Sequence, residues 1–254
     1  MSILQGNSCS IDQKSGGIWT GQTDLQQIYP KSDRLLHHGL RLMNGEQRNN
    51  GKCVVYLLRH GDSRQDTVKR YIGQKDTLLN DSGREQALWW RKELSAIPFL
   101  AAYSSDLLRS RETLRIITEG RTFVSTALPG LREISVGLWD GLPMEEVQKK
   151  FPGEYEKRGA DPAGHRPPEG ESFAALRDRI IPVFESMVQD REGAILVVGH
   201  AGVNRVLLCH LLGMPLGNLF RLGQDYGCLN VLVGEKGVFS VKSMNVLPSA
   251  HSLR

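Results

Sequence analysis

The sequence predicts a single α/β domain with a mostly parallel central sheet flanked by helices, and three observations predict it. Residues 53–58 and 194–199 are short, continuously apolar and partly β-branched, which is how a strand buried on both faces reads. Strand-like and helix-like segments alternate from about residue 51 onward, as they do where crossover helices join parallel strands. With 254 residues, 40% of them hydrophobic, the chain can bury one sizeable core.

Each element has its own signal. Residues 1–50 are rich in Gln, Asn, Ser and Gly and show no sustained period, so they read as a poorly ordered N-terminal extension before a domain at 51–254. The first strand, 53–58, runs into Arg59-His60-Gly61-Asp62-Ser63. Ser82 and Glu85 form a capping box for a helix. Its apolar stripe is Ala87, Leu88, Trp90 or Trp89, Leu94 and Ile97, and Pro98 closes it. A strand at 99–103 follows, then a helix at 107–119 with Asp106 as N-cap, then a short strand at 122–125. Pro143 suits the first turn of a helix ending at Lys150. Residues 151–171, with Pro152, Pro162, Pro167 and Pro168, read as loop. Ser172 caps a helix to about 190, where Pro182 is expected to introduce a kink. The strand 194–199 leads through Gly199-His200-Ala201-Gly202 into a helix at 203–212, which Gly213 and Pro215 stop. Strands at 228–233 and 238–243 flank the hairpin signal Glu235-Lys236-Gly237.

Composition narrows the function. The net charge of +4 is dispersed, with no run of five Lys or Arg, so no nucleic-acid partner is expected; a mild positive excess suits a small anionic substrate. No apolar stretch approaches the ~18 residues of a membrane span, and the first residues lack the apolar core of a secretory signal. Cys9, Cys53, Cys209 and Cys228 form no CxxC pair or zinc spacing, and read as free thiols of a cytoplasmic protein. No metal or other cofactor is expected. The sequence carries no sign of an oligomeric state.

The chemistry lies in two strand ends. In an open α/β sheet, ligands bind outside the carboxyl ends of the strands. That puts His60 and His200 at one edge, each followed closely by a glycine that lets backbone approach an anion.

These residues carry a resemblance. Arg59-His60-Gly61 after the first strand is the mark of the histidine phosphatase, or phosphoglycerate mutase-like, superfamily, and the likeness spans roughly 52–245. The segments 104–110, 131–137 and 198–200 resemble the family's next landmarks, in order. The resemblance implies that His60 is the phosphate-accepting nucleophile, Arg59 and Arg109 bind phosphate, Glu133 is the general acid and His200 the second catalytic histidine. Gly73 takes the place of a backbone contact to substrate. Physical chemistry suits each role. A neutral imidazole nitrogen is a good nucleophile, guanidinium forks match phosphoryl oxygens, and an alkoxide leaving group needs a proton. With the arginines neutralising the phosphoryl group, such a cluster needs no metal. Asp66 departs from the family, where an asparagine at that position touches the phosphate; it receives no such role. Trp139 suits either a pocket wall or loop packing.

For the substrate, the implied class is a small phosphorylated metabolite. Residues 71–74, 168–173 and 224–228 resemble α-ribazole-5′-phosphate phosphatases of cobalamin nucleotide-loop assembly. A broad-specificity or sugar-phosphate phosphatase is the alternative. Phosphoglycerate mutases are less similar, because Val136 stands where they carry a tyrosine and no Arg-Arg pair follows. A reading of another class is a catalytically weak module that binds phosphorylated ligands.

Overall fold

The structure, a computed structural model, describes residues 51–248. The expected extension at 1–50, with Cys9, and residues 249–254 lie outside the described residues. Six strands form one sheet in the order β3-β2-β4-β1-β5-β6. They are β1 (Lys52–Arg59), β2 (Phe99–Ser104), β3 (Val124–Ala127), β4 (Gly193–Gly199), β5 (Leu229–Glu235) and β6 (Val238–Val246). The four strands β3, β2, β4 and β1 run parallel, and β5 and β6 join antiparallel at one side. β4 lies between β2 and β1 and is buried along its whole length, which explains its unbroken apolar sequence.

Helices cover both faces. Val55 and Leu57 of β1 and Ile195 and Val197 of β4 enter one core with α5 (Phe173–Val188) and α6 (Ala201–Leu211). Tyr56 and Leu58 alternate to the opposite face and are equally buried. There α1 (Asp81–Glu93) packs beside α2 (Leu108–Thr118). The short helices α3 (Met144–Lys150) and α4 (Glu154–Ala160) lie between β3 and α5 in the chain.

Several local expectations are corrected. The cap of α1 is Asn80, whose side chain accepts from Gly83 N; Ser82 lies inside the first turn. Both Trp89 and Trp90 are buried and Leu88 is half exposed, because the adjacent tryptophans turn into the core together. Asp106 caps nothing: it forks with Arg132, and α2 starts after Leu107 without a side-chain cap. β3 starts at Val124, two residues later than its β-branched signal. The Pro-rich stretch 151–171 contains α4, which begins after Gly153 at φ +81° and ends before the prolines cluster. Ser172 does cap α5, and the helix runs through Pro182 to Val188. α6 begins at Ala201, immediately after β4, so His200 itself is the N-cap residue.

Candidate active site

Register decides where the site forms. β1 and β4 pair in parallel with Arg59 opposite Gly199, so His60 and His200 leave adjacent strands at the same level. His60 N donates to Gly199 O at 3.1 Å, and the two imidazole centroids are 5.1 Å apart. β2 ends alongside, Ser104 opposite Val198, and the next residue, Ser105, places its hydroxyl 2.7 Å from His200 Nε2. Every strand end here is a carboxyl end.

His60 is buried and oriented by its own chain. Its Nδ1 lies 2.7 Å from Gly61 O. A carbonyl can only accept, so Nδ1 carries the proton and Nε2 keeps a lone pair. Arg109 Nε donates to that Nε2 at 3.2 Å. Burial first, then the Arg109 and Arg59 charges, hold the His60 pKa well below its usual range. His200, wholly buried, is depressed for the same leading reason, with Arg109, His60 and Arg59 adding to it. Both rings are therefore neutral near pH 7.

The arginines are held by neutral groups. Arg59 donates through NH1 to Gln224 O at 2.6 Å, and its guanidinium lies 3.6 Å from the centroid of Tyr226. Gln224 is itself fixed, because its Oε1 accepts from Asn204 and Asn230 at 3.0 Å each. Arg109, 1% exposed on the first turn of α2, donates NH1 to Lys75 O at 2.9 Å and NH2 to Gly73 O at 2.6 Å. Among the described residues no carboxylate forms an ion pair with either arginine, so both keep their charge for a ligand.

Glu133 is buried between a loop and α6. Its Oε1 accepts from Ile134 N at 2.9 Å and its Oε2 from Gly202 N at 3.1 Å. Gly202 is needed there, since a Cβ would stand 2.4 Å from Glu133 Oε1 and 3.2 Å from the Phe173 ring. Arg179 steadies the backbone around the acid by donating to Gly130 O, Arg132 O and Glu133 O, while it forks onto Glu171.

The structure thus brings Arg59, His60, Arg109, Glu133 and His200 to one edge of the sheet, with Gly73 contributing its carbonyl to Arg109. Gly73 N–H goes to Asp140 Oδ1 at 2.9 Å. Gly61 serves close packing: its N–H goes to Thr113 Oγ1 at 3.1 Å, and a Cβ would stand 2.4 Å from Gly83 O. Asp66 turns away to Arg70 at 2.9 Å. Trp139 has no exposed surface and packs between Tyr71, Phe151 and His165, so it is loop core. Sequence reasoning missed Ser105, Tyr226, Gln224, Arg179 and Asp140. Only Asp140, flanked by Gly137 and Gly141, carried a local signal, that of a turn whose carboxylate collects N–H groups.

Residues 55–247 match the model of the histidine phosphatase superfamily, branch 1. The chain is 29% identical over 193 residues to phosphoserine phosphatase 1 of Hydrogenobacter thermophilus, covering 76% of this chain and 92% of that protein. It is 28% identical to the adenosylcobalamin/alpha-ribazole phosphatase of Salmonella typhimurium, over 75% of this chain and 95% of the relative. The crystal structure of the alpha-ribazole phosphatase from Shigella flexneri superposes with a TM-score of 0.71 at 25% identity, covering 76% of this chain and 96% of that one. Among the described residues no helix is long and apolar enough to cross a membrane. The chain belongs to branch 1 of the histidine phosphatase superfamily and is a phosphoric monoester hydrolase.

Proposed function

We propose that the chain hydrolyses its phosphomonoester through a phosphohistidine on His60, without a metal, and that α-ribazole 5′-phosphate is the small metabolite it acts on. The observation that carries the mechanism is the His60 tautomer: Nδ1 is committed to Gly61 O, and Nε2 faces the Arg109 guanidinium.

On binding, phosphoryl oxygens take the donors of Arg109 and Arg59, and Arg109 Nε leaves His60 Nε2 for an oxygen. Nε2 then attacks phosphorus, and a new N–P bond forms as the P–O bond to the alcohol breaks. Glu133, protonated, gives its proton to the leaving oxygen. In the second half, Glu133 takes a proton from water, whose oxygen attacks phosphorus; the N–P bond breaks, phosphate leaves and His60 is again neutral. His200, hydrogen-bonded to Ser105 with its ring 5.1 Å from that of His60, is close enough to add a donor to the phosphoryl group.

The α-ribazole reading is supported by the sequence at 71–74, 168–173 and 224–228 and by relatives of that name. A phosphoserine phosphatase stands at similar identity, so a panel of phosphorylated metabolites decides the substrate. The mechanism has its own test. Rapid quench with ³²P-labelled substrate traps an acid-labile, base-stable phosphoenzyme in the wild type and none in His60→Ala. Normal turnover by His60→Ala overturns covalent catalysis at this residue. Phosphate-ester binding without hydrolysis of p-nitrophenyl phosphate would instead support a binding module.

A further inference from the structure

Arg109 is the innermost cation of the site, yet it is not placed by a carboxylate. Its two terminal nitrogens are held by the carbonyls of Gly73 and Lys75. A loop segment aims two carbonyls at one guanidinium only if its own backbone is fixed. Gln74 Nε2 anchors the segment to Glu133 O at 3.1 Å, and one further side chain collects its N–H groups. Asp140 Oδ1 accepts from Gly73 N at 2.9 Å, and Oδ2 accepts from Gln74 N at 2.9 Å and Lys75 N at 2.7 Å. Three consecutive N–H groups thus converge on one carboxylate.

Asp140 is itself rigidly mounted. It follows a 3₁₀ turn, Gly137–Trp139, and Asp140 N donates to Gly137 O at 3.0 Å. The preceding residue, Trp139, is wholly buried. The following one, Gly141, donates to Tyr71 O at 2.7 Å, and Tyr71 N returns a bond to Leu142 O at 3.0 Å. The two loops are therefore zipped together, with Asp140 as the rivet between them.

We propose that Asp140 is a positioning residue for the phosphoryl-transfer step: by gathering the N–H groups of Gly73, Gln74 and Lys75 it aims the Gly73 and Lys75 carbonyls that seat the Arg109 guanidinium against His60. Neutral carbonyls make this hold useful. A carboxylate directly on Arg109 would compete with the phosphoryl oxygens for its N–H donors, whereas carbonyls orient the fork without an ion pair. Asp140 orients it at one remove, through the N–H groups it gathers and without an ion pair, while its charge also acts on Arg109 through space. The inference rests on the reading of Arg109 as a phosphate ligand.

The test is a double-mutant cycle in the full chain, with Asp140→Asn, Arg109→Ala and the double variant. Asn has one oxygen in place of two, so at least one of the N–H groups loses its acceptor and faces an NH₂ group instead. Misplacing a catalytic group by about 1 Å costs on the order of 10²-fold. Asp140→Asn should lower kcat/KM for p-nitrophenyl phosphate by about 10- to 100-fold and weaken binding of inorganic phosphate, while in the Arg109→Ala background it changes either quantity less than about threefold. Equal losses in both backgrounds overturn the proposal, because a merely structural residue acts additively. Phosphate binding by calorimetry reads the same cycle where turnover is slow. Asp140→Ser, which keeps one acceptor oxygen, repeats the cycle if Asp140→Asn does not fold. An Arg109→Ala variant with wild-type kinetics would overturn the parent reading of Arg109, which is a separate result from additivity.

Discussion

Arg109 Nε donates to His60 Nε2 at 3.2 Å, so a permanent cation sits on the lone pair that the proposed chemistry uses. The contact requires a neutral imidazole, and burial together with this same charge keeps the ring neutral. It also sets up an exchange. In the proposed mechanism a phosphate offers the guanidinium stronger acceptors, and the move of Arg109 onto them frees the nucleophile.

Because the transition states from both substrate types place charge on the same phosphoryl oxygens, Arg109→Ala should slow phosphoenzyme formation from alkyl and aryl phosphates by similar factors, about 10²–10³. Arg109→Lys should recover little, since a point charge cannot reproduce the fork held by Gly73 and Lys75. Single-turnover rapid quench with both substrate types checks this. A loss confined to one type would contradict it.

Glu133 should show the opposite signature. An alkoxide leaves badly without a proton and p-nitrophenolate leaves readily, and general acid catalysis is worth about 10²–10⁴-fold. Glu133→Gln should therefore lose much of its rate on an alkyl phosphate and clearly less in phosphoenzyme formation from p-nitrophenyl phosphate. Gly202→Ala should copy the pattern more weakly, because its Cβ would fall 2.4 Å from Glu133 Oε1 and push the carboxyl aside. Equal slowing on both substrates would make Glu133 a phosphate-positioning group. The neighbouring carboxylates are poor substitutes, since Asp62 is forked by Arg64 and Glu171 by Arg179.

The depressed histidines also predict a pH dependence of stability. In the unfolded chain His60 and His200 titrate near 6.5, and in the folded protein both titrate well below that. Above pH 6.5 both states are neutral and the pair costs nothing. As pH falls below 6.5 the unfolded state takes up protons that the folded state refuses, so stability falls, by up to about 1.4 kcal/mol per pH unit for each histidine. Urea unfolding between pH 8 and 5 measures the slope, and replacing His200 with Asn should reduce it. A flat profile over that range would show that the rings protonate in the folded state.

Much of this was legible in the sequence. The two buried strands, the histidines at their ends, the order of the Arg59, Arg109, Glu133 and His200 segments and the Ser172 cap all depend on residue type and local spacing, which the sequence displays directly. Periodicity could not choose between Ser82 and Asn80 as a cap, nor between Trp89 and Trp90 as the inward ring, because neighbouring residues compete for one geometric role and packing decides.

What belonged to the tertiary structure alone was the set of bonds that hold the catalytic groups still. Arg109 lies 34 to 36 positions from the carbonyls that seat it, Asp140 65 to 67 from the N–H groups it collects, and Gln224 165 from Arg59. Sequence determined which residues had the chemistry, since that resides in side-chain type. Only the fold determined their aim: a hydrogen bond acts over about 3 Å, and such separations along the chain close only when parallel β1 and β4 end in register and the loops after them are packed into place.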